Sequence, residues 1–258
     1  MKRFPEDTKD RIEQHFAPII LKFFPYYGEF WSKFIGVRNG ESERLLPYKI
    51  QFPTFVSQQE KDLFKVIHER ICMAHYSQFC QLAGAHFQYN EALKALKIVD
   101  SNIGYFCFWE AFENFYMHIG NARNEMHHIL VCLGEIKPNL PKTKEGKADL
   151  TKYLANNGRN DLINKIKNFN DDVIKIRNNI VHYARGANIL LNGKFYLPLP
   201  IEKDPLWSKQ LSTDEIQEAT LKMQKDLETV ESIINEAQQL FGIELENYIN
   251  SKGITFIQ

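Results

Sequence analysis

The sequence predicts an all-α protein, a bundle of long helices carrying one small β-hairpin. Three observations predict it. Apolar residues recur at helical spacing through four long stretches. Pro and Gly gather in short segments between those stretches. The dipeptide Asn192-Gly193 stands between two short apolar runs, as in a two-residue hairpin turn.

Taken in order, residues 6–24 read as a short helix, preceded by Pro5 and closed by Pro25. Residues 25–56 read as irregular, and their aromatics (Tyr26, Tyr27, Phe30, Trp31 and Phe34) are expected to cover the side of the bundle. A long helix is expected from Ser57 to Val99, opened by a capping box of Ser57 and Glu60. Its core stripe runs Phe64, Ile67, Ile71, Ala74, Leu82, Ala85, Tyr89, Leu93 and Leu96. A second spans Ile103 to Leu133, with Phe112, Phe115, Ile119, Ala122, Met126, Ile129 and Leu133 inward.

Residues 137–146 form a loop with two Pro and an excess of Lys, followed by a minor helix near 147–156. A third major helix covers 159–185, its stripe being Ile163, Ile166, Phe169, Val173, Ile176, Ile180 and Tyr183, with Gly186 at the stop. The hairpin falls near 188–197, and Pro198, Pro200 and Pro205 keep the next stretch extended. A last helix, 213–248, opens at a second capping box, Ser212 to Glu215, and turns Ile216, Met223, Val230, Ile234, Ala237 and Phe241 inward. The simplest organisation is a single domain, in which residues 1–56 pack on a bundle made by residues 57–258.

Bulk properties narrow the function classes. At 258 residues and 44% hydrophobic, the chain can bury a substantial core. Lys+Arg and Asp+Glu balance at 32 each, so an RNA-binding role needs a local basic patch. The four Cys lie in apolar helical stretches without a disulfide framework. No apolar run reaches the roughly 18 residues of a membrane span. These features lead us to expect a reduced, cytoplasmic protein without a membrane partner. No Gly-rich phosphate loop, nucleophile elbow or paired Cys-x-x-Cys occurs, and no cofactor or metal is expected.

The segment Arg177-Asn178-Asn179-Ile180-Val181-His182 carries the chemistry. On a straight helix Arg177 lies roughly 70° from the centre of the apolar stripe. Asn178 and His182, four residues apart, share a face almost opposite the core. A histidine near neutral pKa can take a proton from a ribose 2′-hydroxyl or give one to the leaving 5′-oxygen. A permanently charged Arg can hold the scissile phosphate, and Asn can orient phosphate or imidazole. One copy supplies one His, whereas in-line cleavage works best with an acid and a base on opposite sides of phosphorus. A two-fold interface would supply both.

Arg-Asn-x-x-x-His late in an amphipathic helix of a helix-rich domain is similar to the motif of the HEPN (higher eukaryotes and prokaryotes nucleotide-binding) superfamily. The resemblance covers about residues 57–186. It implies an HEPN-like helical bundle and a metal-independent endoribonuclease that acts on RNA as a homodimer. It also implies a bacterial toxin, abortive-infection or other defence setting, with an antitoxin or defence-system partner. Carried over, Arg177 would bind phosphate, Asn178 would assist it, and His182 would be the acid/base. The alternative is a non-catalytic HEPN-like module binding RNA, nucleotide or protein.

Arg123-Asn124-Glu125-Met126-His127-His128 repeats the spacing, with Arg123 at the stripe border and Asn124 and His128 opposite the core. Glu110, Glu113 and Asn121 complete its polar row. This copy is a chance feature of a polar face, an addition to the same cleft, or a second half-site. The last is disfavoured because the copies are too close in sequence for two complete bundles. Arg177–His182 is preferred because Tyr183 and Gly186 fit the family pattern, and Glu113, Arg123, Asn124 and His128 form a second tier. His68, Cys72 and His75 share one helix face, where a helix interface outweighs a metal site.

Overall fold

The protein is described by a computed structural model covering residues 49–98, 102–174, 176–177, 189–191, 194–196 and 213–257. The expected helix at 6–24, the aromatic segment up to residue 48, residues 178–188, the proline-rich stretch 197–212 and the Ser212 cap lie outside the described residues. Within them, helix α1 is Gln58–Leu96, α2 Asn102–Ile136, α3 Leu150–Asn156, α4 Asn160–Phe169 and α5 Thr213–Lys252. The all-α expectation holds.

Helix α1 starts where local chemistry tells it to. The Ser57 side chain accepts from the Glu60 N–H, and the Glu60 carboxylate accepts from the Ser57 N–H, so two orphan donors of the first turn are satisfied. Its stripe buries Phe64, Ile67, Ile71, Leu82 and Ala85; near the end, Ala92 and Ala95 are buried while Leu93 and Leu96 lie at the margin. Every inward residue expected of α2 is fully buried, together with Phe108, Trp109 and Tyr116. These rings meet in edge-on and tilted pairs, such as Phe112 and Tyr116 with centroids 4.6 Å apart. Each large apolar side chain removed from water contributes about 1.5–3 kcal/mol. α2 is therefore the centre of the bundle, against which α1 lies along its length.

Helix α5 closes the other side through its predicted inward stripe, Ile216 to Phe241. Polar ties fix its register. Tyr116 donates to Asp226 Oδ2 at 2.8 Å, and Lys222 pairs with the same carboxylate. His86 meets Glu231 at 2.5 Å. Deep in the core, Gln238 Nε2 donates to Gln78 Oε1, and Gln78 Nε2 donates to the Ala122 carbonyl at 2.9 Å.

Two findings depart from the expectations. Strand β1 (Lys49–Gln51), in a stretch expected to be irregular, pairs antiparallel with β4 (Thr255–Ile257), Lys49 opposite Ile257. Gly253 makes the turn possible: with φ at +62°, it ends α5 as its N–H bonds the Asn250 carbonyl and the Ile254 N–H reaches the Ile249 carbonyl. Lys252 then pairs with Glu60 at 2.7 Å, fastening the end of α5 to the start of α1.

The helix expected over 159–185 carries a π-helical turn. α4 ends at Phe169, and Asn170–Ile174 form a π-helical turn, with Ile176 and Arg177 helical again. Three short polar side chains in a row (Asn170, Asp171 and Asp172) compete with the backbone for hydrogen bonds and favour such a departure. The apolar stripe runs on through the widened turn: Ile166, Phe169, Val173 and Ile176 are buried and Ile163 is partly so, which leaves Arg177 at the border of the core as expected. The hairpin is as expected, with β2 (Ile189–Leu191) antiparallel to β3 (Lys194–Tyr196) and Leu191 opposite Lys194.

Candidate functional site

The polar groups of interest lie where α2 faces α4 and its π-helical continuation. Of the preferred motif, Arg177 is described, whereas Asn178 and His182 lie outside the described residues. Arg177 is half-buried, and one of its terminal nitrogens donates to Asn121 Oδ1 on α2 at 3.4 Å. Its aliphatic stem runs over Gly120. A Cβ built on that glycine would stand 3.0 Å from Arg177 Cγ, so the absence of a side chain lets the arginine lie against α2.

Asn124 is one helical turn beyond Asn121 on the same face of α2. Its Oδ1 accepts from Arg123 Nη1 at 3.3 Å. The two Arg-Asn elements thus meet on one stretch of α2, Arg177 at Asn121 and Arg123 at Asn124.

The rest of the second copy is divided. Arg123 is half-buried and turns inward, lining a cavity, and burial lowers its pKa. His128 is exposed on the outer side, its ring 3.0 Å from Glu125 Oε2. Glu125 also accepts from Ser77 on α1 at 2.9 Å. Arg123 and His128 therefore face different sides of α2. Glu113 sits ten residues before Arg123, about 15 Å away along the axis. It is half-buried, and that burial pushes its carboxyl above the usual range. Structure brings Arg123 and Asn124 together and leaves Glu113 and His128 apart from them.

The cavity holds about 210 Å³, between α2, the loop before α3, α3 itself and α4. Arg123 and His127 line it from α2, Thr143, Asp149 and Thr151 from the loop and α3, and Asn170 from the π-helical turn. Its apolar surface comes from Leu150, Leu154, Ile163 and Ile166. Burial, then the nearby Arg123, His128 and Lys147, hold the His127 pKa below its ordinary value, with Asp149 opposing them. The sequence motif singled out His128, yet His127, four residues after Arg123, shares the cavity with it. That i, i+4 relation was readable in the sequence. The partners from α3 and α4 were not, because they meet α2 only through tertiary packing.

Neither a family model, a curated protein nor a solved structure matches this chain.

On α1, His68 stacks on Phe64 at 5.8 Å and leans on Phe256 at 5.3 Å, and its ring nitrogens are 3.9 Å from Cys72 Sγ. Burial pushes the Cys72 thiol up to about 12 and His75 down to about 3. These side chains form a packed helix interface. Among the described residues no group of three or more His, Cys, Asp or Glu is arranged to hold a metal. Nor is any described helix long and apolar enough to cross a membrane.

Proposed function

We propose that this chain is a metal-independent endoribonuclease of HEPN type. It would act on RNA in the cytoplasm as a homodimer, in a bacterial toxin, abortive-infection or other defence role with its antitoxin or defence partner. The observation that carries this reading is the seating of Arg177. Its stem lies over Gly120 and its guanidinium bonds Asn121, which fixes the direction of the charged head on the α2 face that also carries Asn124. A guanidinium held in this way is pre-oriented for a phosphate.

In the reaction, a ribose 2′-oxygen attacks the adjacent phosphorus, giving up its proton to a base. The P–O5′ bond breaks, and the 5′-oxygen receives a proton, leaving a 2′,3′-cyclic phosphate. Arg177 would stabilise the charge on the non-bridging oxygens, Asn178 would orient them, and His182 would move one proton. The symmetry-related His182 of a second protomer would move the other.

The test is incubation of purified protein with single-stranded RNA in chelator, beside His182→Ala. Cleavage by the parent and loss of about 10²-fold or more in the variant is expected. Equal cleavage by both, or none by the parent, rules the reading out.

A second reading, a non-catalytic HEPN-like module binding RNA, nucleotide or protein, is favoured by one observation. Arg123 points into a cavity instead of joining His128 outside. It predicts binding that survives His182→Ala without cleavage.

A further inference from the structure

We propose that the cavity between α2, α3 and α4 binds a small ring carboxylate, its carboxylate on Arg123 and its ring among Leu150, Leu154, Ile163 and Ile166. The proposal stands apart from the ribonuclease reading, since it uses neither Arg177 nor His182.

Arg123 supplies the anion preference. The guanidinium is half-buried, its Nε is sealed from solvent with no hydrogen-bond partner, and among the described residues no Asp or Glu forms an ion pair with it. A cation taken out of water without an anionic partner is costly, and a bound carboxylate would offset that cost with paired hydrogen bonds. Asp149, on the same cavity wall, is already committed: its carboxylate accepts from the Lys152 N–H at 3.1 Å and pairs with Lys152 Nζ at 3.2 Å.

Charge counting then limits the ligand. His127 is held toward its neutral form, so at neutral pH the cavity wall contributes one cation, Arg123. One guanidinium matches a monoanion, whereas a dianionic phosphate would bring a second charge that no lining Lys or Arg pairs. Shape limits it further. An apolar cavity of about 150 Å³ accepts benzene, and this one, at about 210 Å³, has room for a six-membered ring with a carboxylate. At the far wall, Asn170 Oδ1 is also buried without a partner. A rotation of the Asn170 side chain would bring this oxygen to a hydroxyl on the ring. The π-helical turn that presents Asn170 is a backbone departure of the kind that recurs at ligand sites.

The experiment is calorimetric titration of the full chain at pH 7.5 with 4-hydroxybenzoate, benzoate, phenyl phosphate and inorganic phosphate. The hydroxylated carboxylate should bind most tightly, benzoate more weakly, and the two phosphates least. Arg123→Gln should weaken the carboxylates about ten- to a hundredfold. Asn170→Ala should abolish the preference for 4-hydroxybenzoate over benzoate. Because Arg123→Gln could also perturb folding, Thr151→Trp, a change at an exposed position on the cavity wall, provides an independent block and should abolish binding with the melting temperature kept. No heat from either carboxylate at about 10 mM overturns the proposal. So does tighter binding of the phosphates, or binding unchanged in both Arg123→Gln and Thr151→Trp.

Discussion

Arg177 donates to Asn121 across 3.4 Å, so the residue that opens the preferred motif is fastened to the helix that carries the second one. Neither helix alone defines the orientation of that guanidinium. It depends on the approach of α2 at Gly120, where a side chain would crowd the arginine stem.

Gly120→Ala should separate activity from stability. Alanine is favoured over glycine inside a helix by about 1 kcal/mol, and the three atoms nearest the added methyl all belong to the side-chain stem of Arg177. Thermal unfolding should change by a few degrees at most. RNA cleavage should fall, because the stem must shift by a few tenths of an ångström and carries the guanidinium with it. Unaltered cleavage would show that the seating of Arg177 is immaterial.

The buried Gln78–Gln238 pair should behave non-additively. Gln238→Leu leaves Gln78 Oε1 without its donor in a site from which water is excluded, and is expected to cost about 1–3 kcal/mol. Gln78→Leu removes the bond to the Ala122 carbonyl as well and should cost a similar amount. The double variant should cost less than the sum, since two apolar side chains can then pack together. Urea unfolding of the four proteins measures the coupling.

Acid should destabilise the fold partly through His75. Burial lowers its folded-state pKa from 6.5 to about 3, so below 6.5 the unfolded chain takes up a proton that the folded chain refuses. The contribution is complete above pH 6.5 and is lost as pH falls from 6.5 toward 3, at up to about 1.4 kcal/mol per pH unit. Comparing urea midpoints at pH 7.5 and pH 5 should show a smaller drop for His75→Met than for the parent. An identical drop would place the acid sensitivity elsewhere.

The sequence by itself determined where α1 begins and which faces of α1, α2 and α5 turn inward. These are local matters. A capping box spans four residues, and an apolar stripe repeats within two turns, so Ser57 with Glu60 and the run from Phe112 to Leu133 could be read without knowing what lies opposite. It also marked Arg123 and Arg177 as residues at the border between core and solvent.

Tertiary structure decided what that border means. The pairing of β1 with β4 joins residues about two hundred positions apart, and no local pattern signals it. The π-helical turn at Asn170 left no mark on the apolar pattern, since Ile166, Phe169, Val173 and Ile176 stay buried through it. Only the arrival of α3 and α4 against α2 turned Arg123 and His127 into one cavity wall and left His128 outside. Helical periodicity reports which side of a helix is apolar. Which neighbour fills that side, and where it leaves space, is a property of the packed whole.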